Sequence, residues 1–253
     1  MKILLKCIIF DWDGTLVGCE QLVHATYVLT LDKLGDKKAS AWTPEDTHAQ
    51  NGRTRAEIFS NQAIWGTQGK KAEEIFYQIY PRLQQGEAEI QSYYEKISGQ
   101  KLKPLTVYDG AKELIESMRQ QFPHARLVLL GAKSQDLLDK EVVQTGFDGL
   151  FDAVLGNIGN PITDKPNKGA FDRAVNGLTI TDRTKQVLYI GDNPKNDTVF
   201  ANSWGASVTI VQPKKDKMAL YMLKTQFEQS YRVCCNKRDS QPSLKDQNIK
   251  SHT

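Results

Sequence analysis

The chain has 253 residues, 40% of them hydrophobic and 25% charged, with a formal net charge of +3. That length admits one large domain or a core with a smaller insert, and the composition excludes a disordered chain. A charge so near zero also excludes a whole-chain nucleic-acid binder, although residues 214–253 carry nine Lys/Arg against four Asp/Glu, a basic end on a nearly neutral body.

Residues 1–10 are apolar, but Lys6 interrupts them and Asp11 ends them. The run is too short for a signal-peptide core or a membrane span and fits a buried parallel strand over 4–10. Four further apolar runs read as strands, at 126–130, 153–155, 186–190 and 207–211. Helical patterns fall between them at 110–121, 135–145, 168–175 and 195–203. Strands alternating with helices predict an α/β fold with a Rossmann-like parallel sheet, whose ligands bind beyond the carboxyl ends of the strands.

Residues 18–104 break that alternation. They hold no convincing strand and four helical stretches, at 20–34, 55–64, 70–79 and 81–97, with Pro81 starting the last or kinking the one before it. The simplest reading is an all-helical cap inserted into a core made of residues 1–17 and 105–213. After Pro213 a helix over 217–227 is followed by polar residues, and the end is expected to be disordered. The cysteines at 7, 19, 234 and 235 show no metal spacing, and Cys7 reads as a small apolar filler. With no membrane-length segment, a reduced, cytoplasmic protein is the default expectation. The histidines at 24, 48, 124 and 252 are scattered. Gly66–Lys70 lacks P-loop spacing, and the Asn196-Asp197-Thr198 sequon sits in an acidic loop where it reads as chance.

The chemistry concentrates where the first strand ends, in Phe10-Asp11-Trp12-Asp13-Gly14-Thr15-Leu16. In an extended chain Asp11 and Asp13 share a face and Trp12 points away, while Gly14 permits a sharp exit. Two carboxylates so close repel each other, and a divalent cation, Mg²⁺ by the hardness of the oxygen ligands, relieves the repulsion. An isolated Asp-x-Asp is more often a turn or a cap, but the full heptapeptide after an apolar strand is far more specific.

This segment resembles the first signature of the haloacid dehalogenase-like superfamily. The order of later segments agrees: Asp164-Lys165-Pro166-Asn167 is similar to the third signature, and Leu188–Asp197 to the fourth, with one more residue between Asp192 and Asp197 than the commonest form. Residues 107–115 resemble the helix start after the cap, with Asp109 where Pro is usual. The resemblance covers residues 3–213 and implies a Mg²⁺-dependent phosphatase acting on a small phosphorylated metabolite; segment length and net charge argue against membrane and nucleic-acid partners. It implies that Asp11 is the nucleophile and Asp13 the general acid and base. Lys165 would bind a phosphoryl oxygen, and Asp11, Asp13 (by its carbonyl), Asp192 and Asp197 would surround the metal. A dehalogenase proper is disfavoured, because Asp13 is the acid of the phosphotransferase branch.

Two positions depart from the pattern. The family's second signature ends in a Thr or Ser that binds the phosphoryl group, and Gly131 stands there, followed by Ala132, Lys133 and Ser134. Ser134 or the backbone amides after Gly131 would then cradle the phosphate. Gly18-Cys19 replaces a common Asp-Ser pair. Asn51–Phe59 resembles a cap segment of phosphoglycolate phosphatase-like and phosphomutase-like members, and Arg55 falls where sugar-phosphate mutases contact substrate, though a solvated helix Arg is as frequent. The alternatives are a sugar-phosphate mutase, or a degenerate module that binds a phosphorylated ligand without turnover.

Overall fold

The structure is a computed structural model that describes residues 5–35, 68–83, 92 and 105–239. Its centre is a five-stranded parallel sheet of strands β1 (Cys7–Phe10), β4 (Arg126–Ser134), β5 (Ala153–Asn157), β6 (Val187–Gly191) and β7 (Ser207–Ile210). Their order across the sheet is β5-β4-β1-β6-β7. All four residues of β1 are fully buried, so both faces of this strand are covered, which explains its unbroken apolar run.

Alternation along the strands divides the core. Ile8, Phe10, Leu127 and Leu129 face one side. They pack there against α3 (Ala111–Gln121), α4 (Gln135–Gln144) and α8 (Ala219–Asp239) through Leu114, Leu138 and Leu220. Cys7, Ile9, Val128, Leu130 and Tyr189 face the other side, onto α5 (Gly169–Ala174) and α7 (Asn196–Trp204) through Phe171, Phe200 and Trp204. Each fully buried Ile, Leu or Phe contributes about 1.5–3 kcal/mol, so the apolar strands fix the layering. Between α5 and β6 lies a single helical turn, α6 (Arg183–Gln186).

The register sets the site. Phe10 pairs with Leu129 on one side and Ile190 on the other. Asp11 therefore leaves the sheet beside the Gly191-Asp192 exit of β6, where the chain order reverses between the two halves of the sheet.

Between β1 and α3 a short antiparallel ribbon, β2 (Val17–Gly18) with β3 (Thr106–Val107), brackets the insert. No strand was expected at either place. Within the insert two helices are described, α1 (Glu20–Lys33) and α2 (Gln68–Leu83), packed together through Leu22, Ala25, Leu29, Ile79 and Leu83. The expected helix at 55–64, with Arg55, and nearly all of that at 81–97 lie outside the described residues. Pro81 does not end α2, which runs on to Leu83.

Two more expectations change in extent. Strand β4 passes Leu130 and reaches Ser134, with an irregular register between those residues. Helix α8 extends to Asp239, well beyond 227. It is held by Leu220 and Leu223 in the core, by an edge-on contact of Phe227 with Phe122, and by the Ser117 hydroxyl donating to Glu228. Its apolar positions read as a weak stripe because the polar face dominates the local composition. Among the described residues no helix is long and apolar enough to cross a membrane.

Candidate active site

At the carboxyl edge of the sheet the acidic residues separate into two centres, each organised by a buried lysine. In the first, Lys165 Nζ donates to Asp11 Oδ1 and stands 3.9 Å from Asp197 Oδ1. Thr15 Oγ1 donates to the other Asp11 oxygen at 3.4 Å. The Lys165 ammonium lies 5.5 Å from the Tyr189 ring centre and 5.7 Å from that of Phe200, so an aromatic wall shields it. Asp197, in the first turn of α7, accepts from the Tyr189 hydroxyl at 3.0 Å and the Asn193 amide at 2.8 Å.

Asp11, Asp192 and Asp197 each place a carboxylate oxygen within 4.8 Å of the others. Burial pushes the Asp11 carboxyl up to about 6; Lys165 opposes that and Asp197 adds to it. Burial, with Asp11 and Asp197 next, pushes Asp192 up to about 7. Burial would lower the Lys165 ammonium, but Asp11 and Asp197 outweigh it and raise it. Three carboxylates around one lysine leave the centre short of positive charge. An all-oxygen donor set of this kind fits Mg²⁺.

Gly14 makes the geometry possible. Its φ is +82°, and a Cβ there would collide with the Asp192 carboxylate. Only a glycine satisfies both conditions, which is why the chain can turn out of β1 directly against β6.

The second centre holds Asp13. Lys133 Nζ donates to Asp13 Oδ1 at 3.0 Å and to Glu141 Oε2 at 2.6 Å, and Trp12 Nε1 donates to the same Glu141 oxygen at 2.7 Å. Burial alone would lower the Lys133 ammonium; Asp13, with Tyr80, Glu141 and Cys19 behind it, raises it well above its ordinary range. Tyr80, stacked on Phe76 in α2, is electrostatically coupled to Lys133, Cys19, Asp13 and Glu141, so the helical insert reaches this side of the site. Burial pushes its hydroxyl up, against the pull of Lys133.

The sequence singles out neither Lys133 nor Glu141. Asp13 lies beyond the last residue of β1, so strict alternation no longer governs its direction and the turn carries it to β4. Lys133 gives no local signal, because it lies beyond the expected strand end at 130 and is followed by Ser134, Gln135 and Asp136. Glu141 sits on the buried stripe of an otherwise amphipathic helix.

The segment 131–134 is tied to Lys165 through Asn157, a further residue the sequence did not mark. Its Nδ2 donates to the carbonyls of Ala132 and Lys165 at 3.0 and 3.1 Å, and its Oδ1 accepts from the Lys165 amide at 3.0 Å. Asp164 braces the same loop, accepting from the amides of Ile158 and Asn160 and pairing with Arg173. Ser134 is the exposed N-cap residue of α4, with no side-chain cap bond. Gly131 has no left-handed backbone. A Cβ on it would meet Leu138 Cδ2 at 3.0 Å, so a side chain there heads into the α4 interface.

Comparison with known proteins agrees with this architecture. Residues 8–211 match the family model described as haloacid dehalogenase-like hydrolase. A pyrophosphatase PpaX of Listeria monocytogenes serotype 4a (strain HCC23) is 24% identical over 191 residues, 75% of each chain. A haloacid dehalogenase-like family hydrolase of Streptococcus pneumoniae superposes with a TM-score of 0.56 at 18% identity, covering 84% of this chain and 87% of that one. A predicted phosphoglycolate phosphatase of Haemophilus somnus 129PT gives 0.53 at 22%, covering 82% and 85%. At such identities the structural likeness speaks for the fold alone.

Proposed function

The chain belongs to the haloacid dehalogenase-like hydrolase family, and from that premise we propose that it is a Mg²⁺-dependent phosphatase that forms an aspartyl-phosphate on Asp11. The observation that carries this is the first centre: a buried Asp11 held by Lys165 and Thr15, beside Asp192 and Asp197 at the sheet's switch point.

In this reading an Asp11 oxygen bonds to phosphorus while the ester bond breaks, and Asp13 gives its proton to the leaving oxygen. Water then attacks the phosphorus, Asp13 takes its proton, and the bond to Asp11 breaks. Lys165 binds a phosphoryl oxygen, and the amides of 131–134 cradle the others, with Ser134 at the rim. Asp11, Asp192 and the Asp13 carbonyl would hold Mg²⁺, with Asp197 beside it. The bound ion supplies neutralisation of the charge that develops on the phosphoryl oxygens. Asp197 also braces Lys165. The substrate is a small phosphorylated metabolite, and residues 18–104 act as the cap over it. A cytoplasmic setting goes with this reading.

The test is phosphate release with Mg²⁺ over a panel of small phosphate monoesters, including phosphoglycolate and sugar phosphates, together with inorganic pyrophosphate because of the Listeria relatives. Turnover lost in Asp11→Asn supports the reading. A panel without any turnover, in a protein that still binds phosphate, favours a non-catalytic binding module, for which the missing hydroxyl at Gly131 is the motivating observation. Conversion of a sugar phosphate to its isomer would point to a mutase using Arg55.

A further inference from the structure

Asp13 is fixed from a direction that the phosphatase reading does not use. Lys133 lies near the end of β4 and Glu141 lies two turns into α4, with Trp12 one residue before Asp13. Their bonds close a ring: Asp13 Oδ1 to Lys133, Lys133 to Glu141 Oε2, Glu141 Oε2 to Trp12 Nε1, and Trp12 through the backbone back to Asp13. The side chains of Lys133 and Glu141 are only 6% and 2% exposed, whereas that of Asp13 is 30% exposed. Asp13 is therefore the open end of an otherwise buried assembly. The Lys133 ammonium has three N–H donors and gives one to the buried Glu141 and one to the partly exposed Asp13, so the open carboxylate is joined directly to the buried pair.

We propose that Lys133 is the positioning residue of the hydrolytic half-reaction, holding Asp13 by Oδ1 so that Oδ2 meets the water that attacks the aspartyl-phosphate. Glu141 and Trp12 anchor it. In that step the water oxygen bonds to phosphorus as the bond from phosphorus to Asp11 breaks. The electron pair of that bond returns to the Asp11 carboxylate, and a water proton passes to Asp13. A carboxylate held by one oxygen and free at the other is aimed without being blocked, and an aimed base is worth about 10²–10⁴-fold in rate. The first half-reaction on a substrate with a good leaving group needs no proton from Asp13 and should not depend on Lys133. The proposal rests on the phosphatase reading above.

The experiment uses the full chain, Mg²⁺ and p-nitrophenyl phosphate. Nitrophenolate release reports phosphorylation of Asp11, and the steady state reports hydrolysis. In Lys133→Met, kcat is expected to fall about 100-fold while kcat/KM stays within about threefold, with a nitrophenolate burst near one per site. Lys133→Arg, which keeps the charge, should recover at least about tenfold of the lost kcat. Should Lys133→Met fail to fold, Lys133→Gln is judged by the same split. If kcat and kcat/KM fall together, or neither falls, the positioning role is overturned and Lys133 is structural or irrelevant. A wild-type protein with neither burst nor turnover on any phosphate overturns the phosphatase reading, and this inference with it, which is a distinguishable result.

Discussion

The two lysine centres at the edge of the sheet have opposite characters. Around Lys165 three carboxylates converge, and burial raises two of them, Asp11 and Asp192, toward neutrality. Around Lys133 two carboxylates divide one ammonium, a tryptophan N–H supports the deeper one, and the ammonium stays charged. The first arrangement is electrostatically incomplete and suited to receive a cation and a phosphoryl group. The second is one negative charge closer to balance, although Glu141 Oε1 is buried without a hydrogen-bond partner, and it is suited to hold a shape. Within one site, a deficit of positive charge marks where ligands go, and a near balance marks what aims them.

The largest effect should come from the incomplete centre. Asp11→Asn, an amide in place of the proposed nucleophile, is expected to lower phosphate release about 10⁴-fold or more, measured at saturating Mg²⁺. Residual activity within tenfold of wild type would remove Asp11 from its role and the contrast with it. Next, Asp192→Ala should weaken Mg²⁺ binding by at least about 10-fold in calorimetry. Glu141→Gln should leave that affinity unchanged, because Glu141 belongs to the other centre. Equal losses in both variants would mean that the two centres are one.

The contrast also predicts a pH dependence. Asp11 and Asp192 titrate higher in the folded chain, about 6 and 7, than the ordinary value of 3.8. The folded state therefore binds protons more tightly than the unfolded one, and their contribution to stability declines as pH rises from about 4 to about 7. Mg²⁺ displaces those protons, so its stabilising effect should grow over the same window. Thermal melting with and without Mg²⁺ at pH 5 and pH 8 reads this directly, with the larger increase expected at pH 8. Burial raises Glu141 as well, but neither it nor the Lys133 ammonium is a metal ligand in this reading, so the second centre should add nothing to the difference that Mg²⁺ makes. An equal increase at both values would break the assignment of the metal to the carboxylate-rich centre.

For the balanced centre the measurable quantity is stability. Glu141→Gln keeps the shape but replaces a charged acceptor of two buried donors, at a cost of about 1–3 kcal/mol in denaturant unfolding. The smallest effect is reserved for Gly131. Gly131→Ala asks the Leu138 tip to move a few tenths of an ångström, at about 1 kcal/mol. Gly131→Thr directs its branch at the same leucine, so kcat/KM should stay within about threefold of wild type. A clear rise in activity would show that the hydroxyl reaches the phosphoryl site after all.

Much of this molecule is legible from local pattern. Strands β1, β4 and β6 announce themselves because parallel strands buried on both faces require unbroken apolar runs, and the half-buried β5 and β7 do so by short apolar runs between helical patterns. Asp11, Lys165, Asp192 and Asp197 are legible because each follows such a strand, sits in a loop beside one or opens the helix that leaves it, where side chains face the switch point. The β2–β3 ribbon is not, because two residues per strand leave no period to detect. Helix α8 beyond 227 is not, because the residues there are mostly polar and show no apolar period.

The sequence by itself determined the sheet, the order of its acidic exits and the need for glycine at position 14, since these follow from chain direction, apolar periodicity and the limits on φ. It could not determine which carboxylate goes with which lysine. Asp11 and Asp13 are two residues apart, yet one is held by a lysine 154 positions away and the other by a lysine 120 positions away. That division was decided by tertiary structure. The chain turns at Asp13, where alternation ends, and the irregular end of β4 brings Lys133 to Asp13. Helix α4 sets Glu141 beneath them, a coincidence of three elements in space that no local spacing encodes.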